Sequence, residues 1–224
     1  MLSNSPLPQG SYRALAANPN NFARESAIDE LARQGRLDPV DFRERNLEDP
    51  RLRRVLGAVT GRAGWAQRTA SSGRGFGVAL GLEKNARVAT VAEVTVARDR
   101  RLHVDRIVTA FEAGSIVSPD DLRSQVEGAQ VMALGAALFE EIHFDNGVVR
   151  NPRLSEYRVP RFSDLPEVEV ELVDAREFPP AGGGETPMIA VAPAIANAVF
   201  DATGIRLRTL PLAPTGKVPA RGSA

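Results

Sequence analysis

The sequence predicts an α+β chain, with a short helical segment first and mixed strands and helices after it. Three observations carry this. Two Asp-Pro pairs, Asp38-Pro39 and Asp49-Pro50, punctuate an early stretch whose apolar residues recur at helical spacing. β-branched runs follow at 88–96 and 102–111. The later elements then read strand, strand, helix, strand, strand, helix, an order that suits α+β and not a doubly wound parallel sheet.

Residues 1–10 carry two prolines and a glycine and read as extended. Asn20 or Asn21 is placed to cap a helix through Phe22, Ala23, Ala27, Ile28, Leu31 and Ala32 that stops near Gly35. Asp38 and Asp49 each precede a proline suited to the first helical position. The helices they start turn Phe42 inward in one case, and carry Leu52, Val55, Leu56 and Val59 in the other. Residues 1–66 therefore form a helical segment closed by Trp65, and 67–77, rich in Ser, Gly and Arg, form a linker. Residues 78–212 make up the α+β part, and 213–224 read as a disordered tail.

Within the α+β part, the two β-branched runs suggest a hairpin around Asp99-Arg100. Ser118-Pro119-Asp120-Asp121 announces a helix to about residue 140: a serine cap, a proline, then acids at the positive end of the dipole. Its middle holds Gly128, Ala129, Ala133, Gly135, Ala136 and Ala137, small enough for close packing. Asp145-Asn146-Gly147 is a tight-hairpin sequence. Val168, Val170 and Leu172 alternate with glutamates, giving a strand with one wet face. A last helix covers 193–203 and ends at Gly204.

Composition excludes several kinds of function. Lys+Arg 28 balances Asp+Glu 28, so no net field favours nucleic acid or an acidic membrane. The absence of cysteine rules out disulfides, a thiolate nucleophile and any iron–sulfur cluster held by this chain. Two histidines do not make a histidine-rich metal site, so no metal ligand is assigned. No apolar run reaches the ~20 residues of a membrane span. The first residues lack the basic and apolar regions of a secretion signal. The expected location is the cytoplasm, or the periplasm if a partner carries the export signal.

The residues with most chemistry lie in Pro180-Ala181-Gly182-Gly183-Gly184-Glu185-Thr186-Pro187. Successive glycines let a backbone approach a ligand closely, and Glu185 stands where the run ends. Amides around Gly183, Gly184 and Thr186 suit an oxyanion or a cofactor oxygen. Gln125, near Gly128, offers an amide to a heterocycle. Arg13, in Gly10-Ser11-Tyr12-Arg13, can reach a phosphate or a pterin oxygen. Taken singly, each is also an ordinary turn or surface residue.

In series they resemble a known family. The first set is Gly10-Ser11-Tyr12-Arg13, Asn21-Phe22-Ala23-Arg24-Glu25-Ser26, Asp38-Pro39-Val40-Asp41-Phe42-Arg43 and Asp49-Pro50-Arg51. The second is Gln125-Val126-Glu127-Gly128, Tyr157-Arg158-Val159-Pro160-Arg161 and Gly184-Glu185-Thr186-Pro187. In this order the chain is similar to the carboxy-terminal segment of the molybdopterin-binding large subunit of the xanthine oxidase family. It is most like the isoquinoline 1-oxidoreductase and nicotinate dehydrogenase branch.

The resemblance implies a fold of the molybdopterin-binding type and a share in a molybdenum hydroxylase. Such an enzyme adds a water-derived oxygen to a heteroaromatic or aldehyde carbon. It matches Glu185 to the family's general base and Gln125 to its pterin-contacting glutamine. Gly183 and Gly184 fall in the cofactor loop, and Arg13 in a cofactor-proximal segment. The cofactor implied is molybdopterin in its cytosine dinucleotide form. The partners implied are the remaining molybdenum-binding segment or subunit, a [2Fe-2S] subunit and a small-molecule substrate. The chain departs from the family at Ala113 and Ser118, where a cysteine and an asparagine are usual, and at Ala133, usually glycine. A non-catalytic remnant or interaction module of the same fold is the alternative.

Overall fold

The computed structural model describes residues 10–69 and 71–220 and has the α+β architecture expected. The expectations for residues 1–9 and 221–224 lie outside the described residues. Helices α1 (Ala17–Gln34), α2 (Pro39–Asn46) and α3 (Pro50–Ala63) come first. Strands β1 (Arg74–Glu83), β2 (Ala86–Val96) and β3 (Leu102–Glu112) follow, then helix α4 (Pro119–Leu138). A small hairpin, β4 (Phe144–Asp145) and β5 (Val148–Val149), precedes strand β6 (Glu167–Leu172) and helix α5 (Val191–Thr203). Four strands form one sheet in the order β1-β2-β3-β6, antiparallel except for the parallel pair β3 and β6.

The aspartate–proline starts work as their chemistry requires. Asp38 accepts from the Val40 and Asp41 amides, and Asp49 from those of Arg51 and Leu52. A cap of this kind contributes about 1 kcal/mol. Both faces of the sheet are covered. Phe76, Val78, Leu80, Val91 and Val108 pack under Val55, Leu56, Val59 and Trp65. On the other face Ala79, Val88, Ala92, Ile107 and Phe111 meet Val126 and Leu134 of α4 and Ile195 and Val199 of α5. Among the described residues no helix is long and apolar enough to cross a membrane.

Four local expectations need correction. Helix α1 begins at Ala17, so Asn21 lies inside it and is buried. Its amide donates at 2.9 Å to the carbonyls of Leu80 and Ile189. Asn21 is one of a row of side chains that close the free edge of β1. Glu25 accepts from the Leu80 amide at 2.9 Å, Asp201 from the Phe76 amide at 3.0 Å, and Asn197 donates to the Val78 carbonyl at 3.1 Å. An edge strand left open would invite pairing with another chain.

The expected linker is the second case, because residues 74–77 begin β1. Gly75 and Gly77 serve packing there: a Cβ on either would come within 2.1 Å of a carbonyl of α5. Third, the Ser118 hydroxyl donates to the Asp121 carboxylate at 2.7 Å instead of capping α4. Fourth, the expected disordered tail is ordered over 213–220. Ala213 donates to Leu138, Val218 donates to Arg100, and both side chains are buried.

Candidate functional site

The glycine run, the start of α4 and the residues before α1 meet at one place. Ala14 and Leu15 adopt left-handed backbone angles (φ 73° and 49°), and the Leu15 amide bonds the Tyr12 carbonyl at 2.9 Å. The turn buries Ala14 and throws Arg13 across to the far end of the chain. The Arg13 Nε donates to the Gly184 carbonyl at 2.5 Å. Its Nη2 lies 3.3 Å from both the carbonyl and the side-chain oxygen of Gln125. Burial lowers the Arg13 pKa. Even so, an arginine stays charged at any ordinary pH.

The two glycines assigned to the site have different reasons to be glycine. Gly183 is buried, and a Cβ there would press to 2.6 Å from Leu122 Cδ1. Gly184 is exposed, with nothing within 4 Å of a Cβ position. One glycine seats the loop against α4 and the next leaves its outer face open to a ligand.

Glu185 follows, partly buried, and forms an ion pair with Lys84 in the turn between β1 and β2. Thr186 ties the loop to the same turn, its hydroxyl donating to the Glu83 carbonyl at 2.9 Å. From α4 the buried Gln130 donates to the Pro187 carbonyl at 2.9 Å, while its Oε1 has no partner. Beside Gln125 a groove of about 250 Å³ opens between Ala113, Ile116, Ser118, Leu122 and Gly182. Two of the three departures, Ala113 and Ser118, thus line the groove, whereas Ala133 is buried in the core.

The structure therefore brings Arg13, Gln125, Gly183 and Gly184 together and sets Glu185 one residue further on. Sequence reasoning missed Lys84 and Gln130, and it took Thr186 for its amide where the structure uses its hydroxyl. Lys84-Asn85 had a signal, since an Asn between two strand-like runs marks a two-residue turn. Gln130 had none, because only burial separates it from the other polar residues of α4.

A guanidinium, an amide, an open glycine loop and a carboxylate thus lie at the junction of three segments, groups whose chemistry suits an anionic or heterocyclic ligand. Comparison with known proteins bears on the family and the fold. Residues 58–166 match the molybdopterin cofactor-binding domain. That window contains Gln125 but neither Arg13 nor Glu185. The chain is 36% identical over 228 residues to a nicotinate dehydrogenase chain of Pseudomonas putida, a match that covers 93% of this chain and 19% of the relative. It is 36% identical over 197 residues to the beta chain of isoquinoline 1-oxidoreductase of Brevundimonas diminuta, covering 86% and 25%. The fold is shared with quinoline 2-oxidoreductase from Pseudomonas putida 86, with a TM-score of 0.79 at 14% identity over 92% of this chain and 52% of that one. The chain belongs to the molybdopterin-binding subunits of the xanthine oxidase family of oxidoreductases, and spans a quarter or less of the length of the two relatives named.

Proposed function

We propose that this chain carries the general base, Glu185, and one wall of the cofactor site of a molybdenum hydroxylase large subunit. The observation behind this reading is the convergence of Arg13, Gln125 and Gly184 beside a partly buried carboxylate. These residues fit the group. Arg13 and Gln125 are donors suited to pterin and phosphate oxygens, and Gly184 leaves the space a side chain would fill.

Molybdopterin, in its cytosine dinucleotide form, supplies the metal-centred redox chemistry when bound. Gln125 turns its Oε1 toward Arg13, which leaves its amide hydrogens to donate to the pterin. Arg13 holds the glycine loop by its Gly184 carbonyl and orients Gln125. Glu185 takes the proton of the attacking water-derived oxygen, which requires hydrogen-bond reach and an ionised carboxylate. The substrate is an electron-poor carbon of a heteroaromatic ring or an aldehyde. Without cysteine, the chain depends on a [2Fe-2S] partner for electron exit, and on a further molybdenum-binding segment or subunit for the rest of the pocket.

The test is made on the assembled, molybdenum-loaded enzyme. Glu185→Gln is expected to lower the hydroxylation rate by about 100-fold or more while molybdenum content stays at the parental level. A rate within threefold of the parent would remove Glu185 from the role of base, and a stable assembly without molybdenum would favour the non-catalytic alternative.

A further inference from the structure

We propose that Lys84 is a positioning residue for Glu185, its ammonium holding the carboxylate from the turn between β1 and β2. The role as positioning residue rests on the reading of Glu185 as the base; the contact does not. Glu83 pairs with Ala86 across the turn, so Lys84 and Asn85 are its two central residues, with φ of 46° and 66°. These are the left-handed angles of the favoured hairpin turn, in which asparagine and glycine are usual and lysine is not.

The turn is fixed from both sides. The Asn85 carbonyl accepts from Arg51 at 3.0 Å and from Arg87 at 2.9 Å. Arg51 is anchored in turn: its guanidinium grips the fully buried Glu112 at 2.5 and 2.7 Å and lies over the Phe178 ring. On the other side of Lys84, the Glu83 carbonyl receives the Thr186 hydroxyl. One hydrogen bond therefore joins the residue before Lys84 to the residue after Glu185.

An isolated surface ion pair contributes little, because two long side chains must be ordered to make it. Here both backbones are already held, so only the two side chains remain to be ordered, and the glutamate is the shorter and more buried of them. Lys84 makes the one ion pair to Glu185 among the described residues. Of the other groups close by, Arg13 spends its Nε on the Gly184 carbonyl, and α4 presents the neutral amides of Gln125 and Gln130. Glu83 is the neighbouring acid, one residue before Lys84 in the turn. A cation in this place favours the ionised carboxylate and limits its rotamers.

The experiment follows the Glu185 carboxyl carbon by NMR in the full chain with ¹³C-labelled glutamate, the resonance assigned by its loss in Glu185→Gln. Lys84→Gln is expected to raise the titration midpoint by about half a pH unit. Lys84→Arg is expected to leave it at the parental value. In the assembled enzyme the acid limb of the pH–rate profile should move up by the same amount in Lys84→Gln. An unchanged midpoint in Lys84→Gln overturns the proposal, as does an equal rise in Lys84→Arg. Because the NMR midpoint does not require activity, a catalytically silent Glu185 would overturn its role as base and leave the Lys84 contact standing or falling on its own measurement.

Discussion

Arg13 and Gly184 stand 171 residues apart in the chain, and the Arg13 Nε donates to the Gly184 carbonyl. The same guanidinium reaches Gln125 in α4, so one side chain links three segments that carry the site. Lysine at this position would keep the charge but lose the planar fork that serves two acceptors at once. Arg13→Lys is expected to cost about 1 kcal/mol. In a chain of this size that corresponds to a melting temperature lower by about 2–4 °C. Calorimetry of the full chain measures it, and metal analysis of the assembled enzyme should show reduced molybdenum. An unchanged melting temperature with full molybdenum would show that the guanidinium does not hold the loop.

Strand β1 and helix α5 approach so closely that a glycine is obligatory between them. A Cβ on Gly77 would lie 2.1 Å from the Ala194 carbonyl oxygen and 2.3 Å from the Ala198 nitrogen, backbone atoms that cannot swing aside. Gly77→Ala is expected to destabilise the chain by about 3 kcal/mol. Gly61, in α3, has nothing within 4 Å of its Cβ position. Gly61→Ala should therefore stabilise by about 0.5–1 kcal/mol through helix propensity. Urea unfolding of the two variants gives opposite signs if the packing is as described, and equal effects if β1 does not lie against α5.

The chain's two tyrosines share one carboxylate. Tyr157 donates to Glu140 at 2.8 Å and Tyr12 at 3.4 Å. Burial, and then the Glu140 charge and hydrogen bond, raise both phenol pKa values above the ordinary range. A raised folded pKa means that the protonated phenol is favoured by folding. The associated stability is complete below the ordinary tyrosine value of about 10 and is lost as pH rises through the folded values. Alkaline titration of the tyrosinate absorbance should give both midpoints above that value. Glu140→Gln should bring them down without restoring the ordinary value, since burial, the largest cause, persists. Midpoints indifferent to the substitution would remove Glu140 from contact with the phenols.

Much of the fold is legible locally. Asp38-Pro39 and Asp49-Pro50 start helices because the carboxylate and the missing proline N–H both answer the unpaired donors of a first turn, which needs no tertiary context. Gly204 ends α5 in a left-handed conformation for an equally local reason. The illegible elements are those whose residue choice is dictated from a distance. Residues 74–77 look like a linker by composition, yet Gly75 and Gly77 are small because α5 passes over them. Asn21 has the chemistry of a cap but spends its amide on the edge of β1.

The site divides in the same way. The amino-acid sequence by itself determined the residue types and their order: a glycine run ending in Glu185, a glutamine in a helix, and an arginine before the first helix. These are properties of short windows, in which backbone freedom and side-chain chemistry can be read directly. Only the tertiary structure decided that Arg13, Gln125 and Gly184 touch, that Lys84 faces Glu185, and that Gln130 is buried beneath the loop. Each of these contacts joins segments separated by more than fifty residues, and closing them depends on how α4 and α5 pack on one sheet, which no local pattern encodes.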